Sequence, residues 1–121
     1  MRKTLPTIIV VTALATGIAF ATSPNDNGKE QYQLTAIDNI SRNTTVTVRG
    51  VVKRILDTDE FELSDKTGEI EVYIGWRNNL PVKAGDTVTV KGFVDDDWVK
   101  EIYAQEIIHA DGRVTTFRQN N

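Results

Sequence analysis

Two glycine-marked alternations constrain this chain most. Thr45-Val46-Thr47-Val48-Arg49-Gly50-Val51-Val52 is matched by Thr87-Val88-Thr89-Val90-Lys91-Gly92-Phe93-Val94, which runs on into Asp95-Asp96-Asp97-Trp98. Each segment alternates apolar and polar residues up to its glycine, where a missing side chain lets a strongly bent strand leave one sheet and enter the next. Two such strands in one small chain point to a barrel that turns its corners at Gly50 and Gly92.

The rest of the pattern agrees. A first strand spans residues 45–56, and Asp57-Thr58-Asp59 turns the chain into Glu60-Phe61-Glu62-Leu63-Ser64. There Phe61 and Leu63 point one way and Glu60 and Glu62 the other. Asp65-Lys66-Thr67-Gly68 turns again, after which Ile70, Val72 and Ile74 should face the core and Glu69, Glu71 and Tyr73 the water. Residues 75–85 carry Pro81 between two glycines and read as a loop. A fourth strand starts at Asp86, and a fifth covers residues 99–109 with Ile102 and Ala104 inward.

Before the strands, Thr35-Ala36-Ile37-Asp38 resembles a capping box, and Leu34, Ile37 and Ile40 are spaced to share one helical face, so one short helix is expected. After His109, Asp111-Gly112 is a hairpin signal leading into Arg113-Val114-Thr115-Thr116-Phe117, which would add a sixth strand. Closely spaced strands with turns between them argue an all-β domain, and five strands plus a short helix match the OB-fold barrel.

Residues 1–21 have the form of a signal peptide: Arg2 and Lys3, an apolar stretch over residues 5–20, and Ala19-Phe20-Ala21 before an expected cleavage at Thr22. The stretch is short of the roughly 20 apolar residues a membrane span needs, so the mature chain should not be membrane-integral. Residues 22–33 are polar and read as a flexible terminus, leaving residues 34–121 as one domain. There is no cysteine, which excludes disulfides, thiol catalysis and thiolate metal sites. Removing Arg2 and Lys3 takes the formal net charge from -3 to about -5, which disfavours polyanionic partners.

Taken together, residues 45–50, Asp65-Lys66-Thr67-Gly68-Glu69-Ile70-Glu71-Val72, residues 85–92, Asp95-Asp96-Asp97-Trp98 and Glu101-Ile102 resemble the bacterial OB-fold (BOF) family of small periplasmic proteins linked to stress tolerance. The resemblance covers roughly residues 34–109. It implies a five-stranded barrel, periplasmic export, and a role in envelope stress or ligand binding with no established catalytic residues. Tyr103 departs from the family pattern, which would place an acidic residue there.

OB-folds commonly bind on the outer face of their second and third strands, bordered by the loops joining strands one to two and four to five. Here that surface would be Glu60, Glu62, Glu69, Glu71 and Tyr73, with Asp57 and Asp59 on one border and Asp95, Asp96 and Asp97 on the other. A nucleic-acid site needs basic residues and several aromatic platforms, so nucleic acid is not expected. A cationic small molecule, a basic peptide or a cell-envelope glycan fits the face better. Outward charge is also what any soluble strand presents. Asp95-Asp96-Asp97 lacks the spaced ligands of a calcium loop, and His109 has no partner for a metal set or a nucleophile, so no metal, cofactor or catalytic residue is expected. Trp76 and Trp98 could plug a barrel end or present a flat face to a ligand, with packing favoured. The sequence thus predicts a periplasmic, non-enzymatic binding module. The competing reading is an interaction module docking on another envelope protein without a small ligand.

Overall fold

A computed structural model describes residues 32–118 of the chain, so the expected signal peptide and most of the flexible terminus lie outside the described residues. Six strands follow one another: β1 (Thr45–Asp57), β2 (Glu60–Asp65), β3 (Gly68–Tyr73), β4 (Thr87–Val94), β5 (Glu101–His109) and β6 (Val114–Thr116). Their order in the sheet is β3-β2-β1-β4-β5-β6, and β3 also pairs with β5, in parallel. That last pairing closes the first five strands into a barrel, the architecture the sequence pattern predicts.

β1 serves two neighbours in turn. From Thr45 to Val51 it pairs with β4, and from Val51 to Asp57 with β2. Gly50 sits at this handover, where an added Cβ would press on the Ser64 carbonyl oxygen and lie 3.1 Å from Leu63 Cγ. Gly92 plays the corresponding part in β4, beside a bulge in the pairing with β5, packed against the backbone of Tyr103 and Ala104. Both glycines are therefore required by close approach of a neighbouring strand.

The alternation sorts core from surface as expected. Phe61, Leu63, Ile70, Val72, Ile74, Ile102 and Ala104 are all buried, joined by Val48, Val90 and Ile107 from the other strands. Each large side chain so buried contributes about 1.5–3 kcal/mol. The hairpin at Asp111-Gly112 does form a sixth strand. Gly112 takes a φ of 92°, and His109 Nε2 lies 2.8 Å from Thr115 Oγ1, tying β5 to β6. One edge of β5 pairs with β3 at Glu101–Tyr103 and with β6 at Glu106–Ile108, so β6 covers edge that β3 leaves open.

Three expectations need correction. The helix is a single 3-10 turn, Ile37–Asn39, with Ala36 at its N-cap and no side-chain cap, so Thr35 and Asp38 form no capping box. The caps come from the β2–β3 turn instead. Asp65 Oδ2 accepts from the Ile37 N–H at 2.9 Å, and Thr67 Oγ1 accepts from the Asp38 N–H at 3.1 Å. Ile37 and Ile40 join the core, whereas Leu34 stays exposed, because a single turn is too short to carry a helical stripe. The fifth strand begins at Glu101, leaving Val99 exposed in the preceding turn. Finally, Trp76 and Trp98 do not plug the barrel: they are 64% and 94% exposed, since the aliphatic side chains already fill the interior.

Candidate functional site

Because Phe61 and Leu63 point inward on β2, Glu60 and Glu62 point outward; on β3 the same alternation turns Glu71 and Tyr73 outward. β5 repeats it, with Ile102 and Ala104 inside and Glu101 and Tyr103 outside. The parallel register at the barrel closure then sets Glu71 beside Glu101 and Tyr73 beside Tyr103. The two tyrosine rings meet edge to face with centroids 5.6 Å apart. Carboxylate oxygens of Glu60, Glu71 and Glu101 come within 4.8 Å of one another, all three side chains being half-buried. On the far side, Phe93 of β4 stands opposite Tyr103. Asp95 follows opposite Glu101, its N–H reaching the Glu101 carbonyl at 3.3 Å.

This crowding has an electrostatic consequence. Burial, then Glu60, and then the charges of Glu71 and Asp95 push the Glu101 carboxyl up to about 8. Glu71 is raised for the same kind of reason, by burial first and by Glu60 and Glu62 next. Tyr103 is raised by burial and by Glu101, Asp95 and Asp97. Asp97 is raised chiefly by the facing carboxylate of Asp95. Two ionised carboxylates are both acceptors, so they repel unless a proton or a cation comes between them. Asp95 is only 9% exposed, and among the described residues its oxygens make no hydrogen bond of regular geometry, with the Asp97 carboxyl and the Tyr103 hydroxyl as their nearest polar company.

The basic residues nearby are committed elsewhere. Lys53 pairs with Glu69, and Arg54 Nε stands 2.9 Å from Glu62 Oε1 as a charge contact without hydrogen-bond geometry. Lys100, next to Glu101 in the chain, donates to the Ile40 carbonyl at 2.8 Å. Arg42 holds the β4–β5 turn through the Asp97 and Trp98 carbonyls, at 3.0 and 2.8 Å.

Of the residues singled out by the sequence, the fold gathers Glu60, Glu71, Tyr73 and Asp95 into one patch. Glu62 and Glu69 lie on the same outer face but are partnered by cations from β1. Asp57 turns its carboxylate onto the Thr58 N–H at 2.7 Å, and Asp59 contributes its backbone carbonyl to the Ile74 N–H at 2.9 Å. Asp96 and Asp97 are exposed in the β4–β5 turn. Glu101 and Tyr103 were not among the expected site residues. The alternation Glu101-Ile102-Tyr103-Ala104 marks both as outward, and the missing information was that β5 closes onto β3.

A closed five-stranded barrel with an outward patch at its β3–β5 closure defines an OB-type barrel. The family model described as bacterial OB fold (BOF) protein matches residues 20–109. The chain belongs to this family. An uncharacterized protein of Haemophilus influenzae (strain Rd) is 32% identical over 100 residues, covering 74% of this chain and 83% of that protein. The solved structure of the hypothetical protein ygiW from E. coli is 29% identical, with a TM-score of 0.55, over 69% of this chain and 90% of that one.

Proposed function

We propose that the chain is a non-enzymatic binding module of the bacterial periplasm that serves envelope stress tolerance by holding a cationic ligand on the outer face of its barrel closure. What carries this reading is the cluster of Glu60, Glu71 and Glu101, which no ion pair among the described residues involves. Tyr73 and Tyr103 border it with aromatic surface on which an ammonium or guanidinium group can rest. Partly desolvated carboxylates attract a cation more strongly than exposed ones, and salt screens the attraction less. Nucleic acid is disfavoured, because the same face would repel phosphates. The test is an amide-shift titration with spermine or a basic peptide in moderate salt. Residues 60, 71, 73, 101 and 103 should move, and single-stranded DNA should leave them in place. Binding of DNA on this face, or an unmoved face with the cations, would refute the reading.

A second reading draws support from the β4–β5 turn, where Trp98 and Val99 are exposed side by side. Such a tip suits docking on another envelope protein. Trp98→Ala would abolish that docking and leave cation binding intact.

A further inference from the structure

Carboxylates crowd together at the barrel closure. Three carboxylates from three different strands converge there, and a fourth stands against them. Resting on the proposed function and narrowing it, we infer that the oxygens of Glu60, Glu71 and Glu101 hold a hard divalent cation, with Asp95, just past the end of β4, supplying additional negative charge.

The spacing admits one ion among the three carboxylates. Hard divalent cations bind carboxylate oxygens at about 2.0–2.6 Å, so two oxygens that share one ion stand no more than about 5 Å apart. The three carboxylates lie within 4.8 Å of one another. The donor set is all oxygen, with no cysteine in the sequence, and its only histidine is bonded to Thr115. Such donors suit calcium or another hard cation and not zinc or copper.

Asp95 supplies an independent observation. It continues the antiparallel register past Val94 and Ile102, so it stands opposite Glu101 and its side chain leaves the sheet on the same face. The residue is nine-tenths buried, and among the described residues its oxygens make no hydrogen bond of regular geometry, although the Tyr103 hydroxyl and the Asp97 carboxyl stand close to them. Native proteins rarely leave a buried carboxylate without a partner. Among the described residues, the cationic side chains of this region are engaged: Lys100 with the Ile40 carbonyl, Arg42 with the Asp97 and Trp98 carbonyls. A divalent ion at the cluster would relieve the repulsion among Glu60, Glu71 and Glu101 and compensate Asp95 at once. With three protein carboxylates and the remaining positions filled by water, affinity in the range of extracellular calcium modules is expected, about 10⁻⁴ to 10⁻³ M.

The experiment adds calcium chloride to the chelator-treated protein, at ionic strength held with sodium chloride. Thermal melting and amide shifts are the readouts. Up to about 10 mM calcium should raise the melting midpoint saturably by at least about 5 °C and move the amides of residues 60, 71, 95 and 101. Glu71→Gln and Glu101→Gln should each weaken the response at least about tenfold, while Glu106→Gln, farther along β5, should leave it unchanged. Should Glu101→Gln fail to fold, Glu71→Gln decides alone. No saturable response in the wild type, or an equal response in Glu71→Gln, overturns the inference. A parallel titration with spermine in chelator separates the two ideas. Spermine binding without calcium binding sinks the metal site and keeps the proposed function. Calcium binding without spermine binding supports the metal site, and failure of both removes both.

Discussion

Replacing Gly92 by alanine tests how closely β4 must approach β5 beneath the candidate site. The new Cβ would press on the Tyr103 carbonyl oxygen and lie 2.7 Å from Ile102 Cγ2 and 2.9 Å from Ala104 Cα. Carbon atoms rest about 3.5–4.0 Å apart at their optimum, so each contact is too short by about 0.6 Å or more. Two of the three obstacles are backbone, which cannot rotate away as a side chain tip could. Overpacking of this kind costs about 1–3 kcal/mol, and the rigid backbone places this site in the upper half. Against this, alanine restricts the unfolded chain and returns about 0.4–1 kcal/mol. The net loss is about 2 kcal/mol, which lowers the melting midpoint by about 8–16 °C in a domain of this size. Thermal melting monitored by circular dichroism measures it, with Lys91→Ala on the exposed neighbour as a control expected within about 0.5 kcal/mol of wild type. The amides of Tyr103 and Asp95 should also shift, because the strand spacing that places them changes. If Gly92→Ala melts within about 2 °C of wild type, the close-approach argument is wrong, and Gly92 owes its place to something other than space.

Three further outcomes are expected. In chelator-treated protein, Glu101 holds its proton up to about 8 when folded and to about 4.5 when unfolded, so the folded state carries the extra proton between these values. Stability should therefore fall as pH rises through that window, and Glu101→Gln should flatten the slope in urea melts across it; an unchanged slope would refute the assignment. Asp65→Ala removes the acceptor shared by the Ile37, Thr67 and Gly68 N–H groups and should cost about 0.5–2 kcal/mol by chemical denaturation. Burial works against its ionisation but the Thr67 hydroxyl and these N–H groups prevail, so Asp65 is held below its ordinary value and the wild-type advantage should fade as acid protonates it. Trp98→Ala should leave the melting midpoint within about 0.5 kcal/mol of wild type, since the side chain is almost fully solvated; a larger loss would mean the ring packs in solution.

The sequence alone determined which way side chains point. A pleated strand alternates with period two, so Phe61, Leu63, Ile70 and Val72 could be assigned to the core and Glu60, Glu62, Glu71 and Tyr73 to the outside without any knowledge of neighbours. Turn chemistry did the same for the extra hairpin at Asp111-Gly112, because that dipeptide favours the local backbone the turn requires. Helix signals at Thr35 and Asp38 misled, because a helix of one turn is decided by what caps it, and here the cap arrives from Asp65, far along the chain.

Only the tertiary structure decided which outward residues became neighbours. Glu71 and Glu101 are far apart in sequence and adjacent across the closure, while Lys53 and Arg54 of β1 neutralise Glu69 and Glu62 that alternation alone leaves free. Alternation selects a face but says nothing of strand order or register. Those are settled by how the barrel fills its interior, and the charges on its outer surface follow from that.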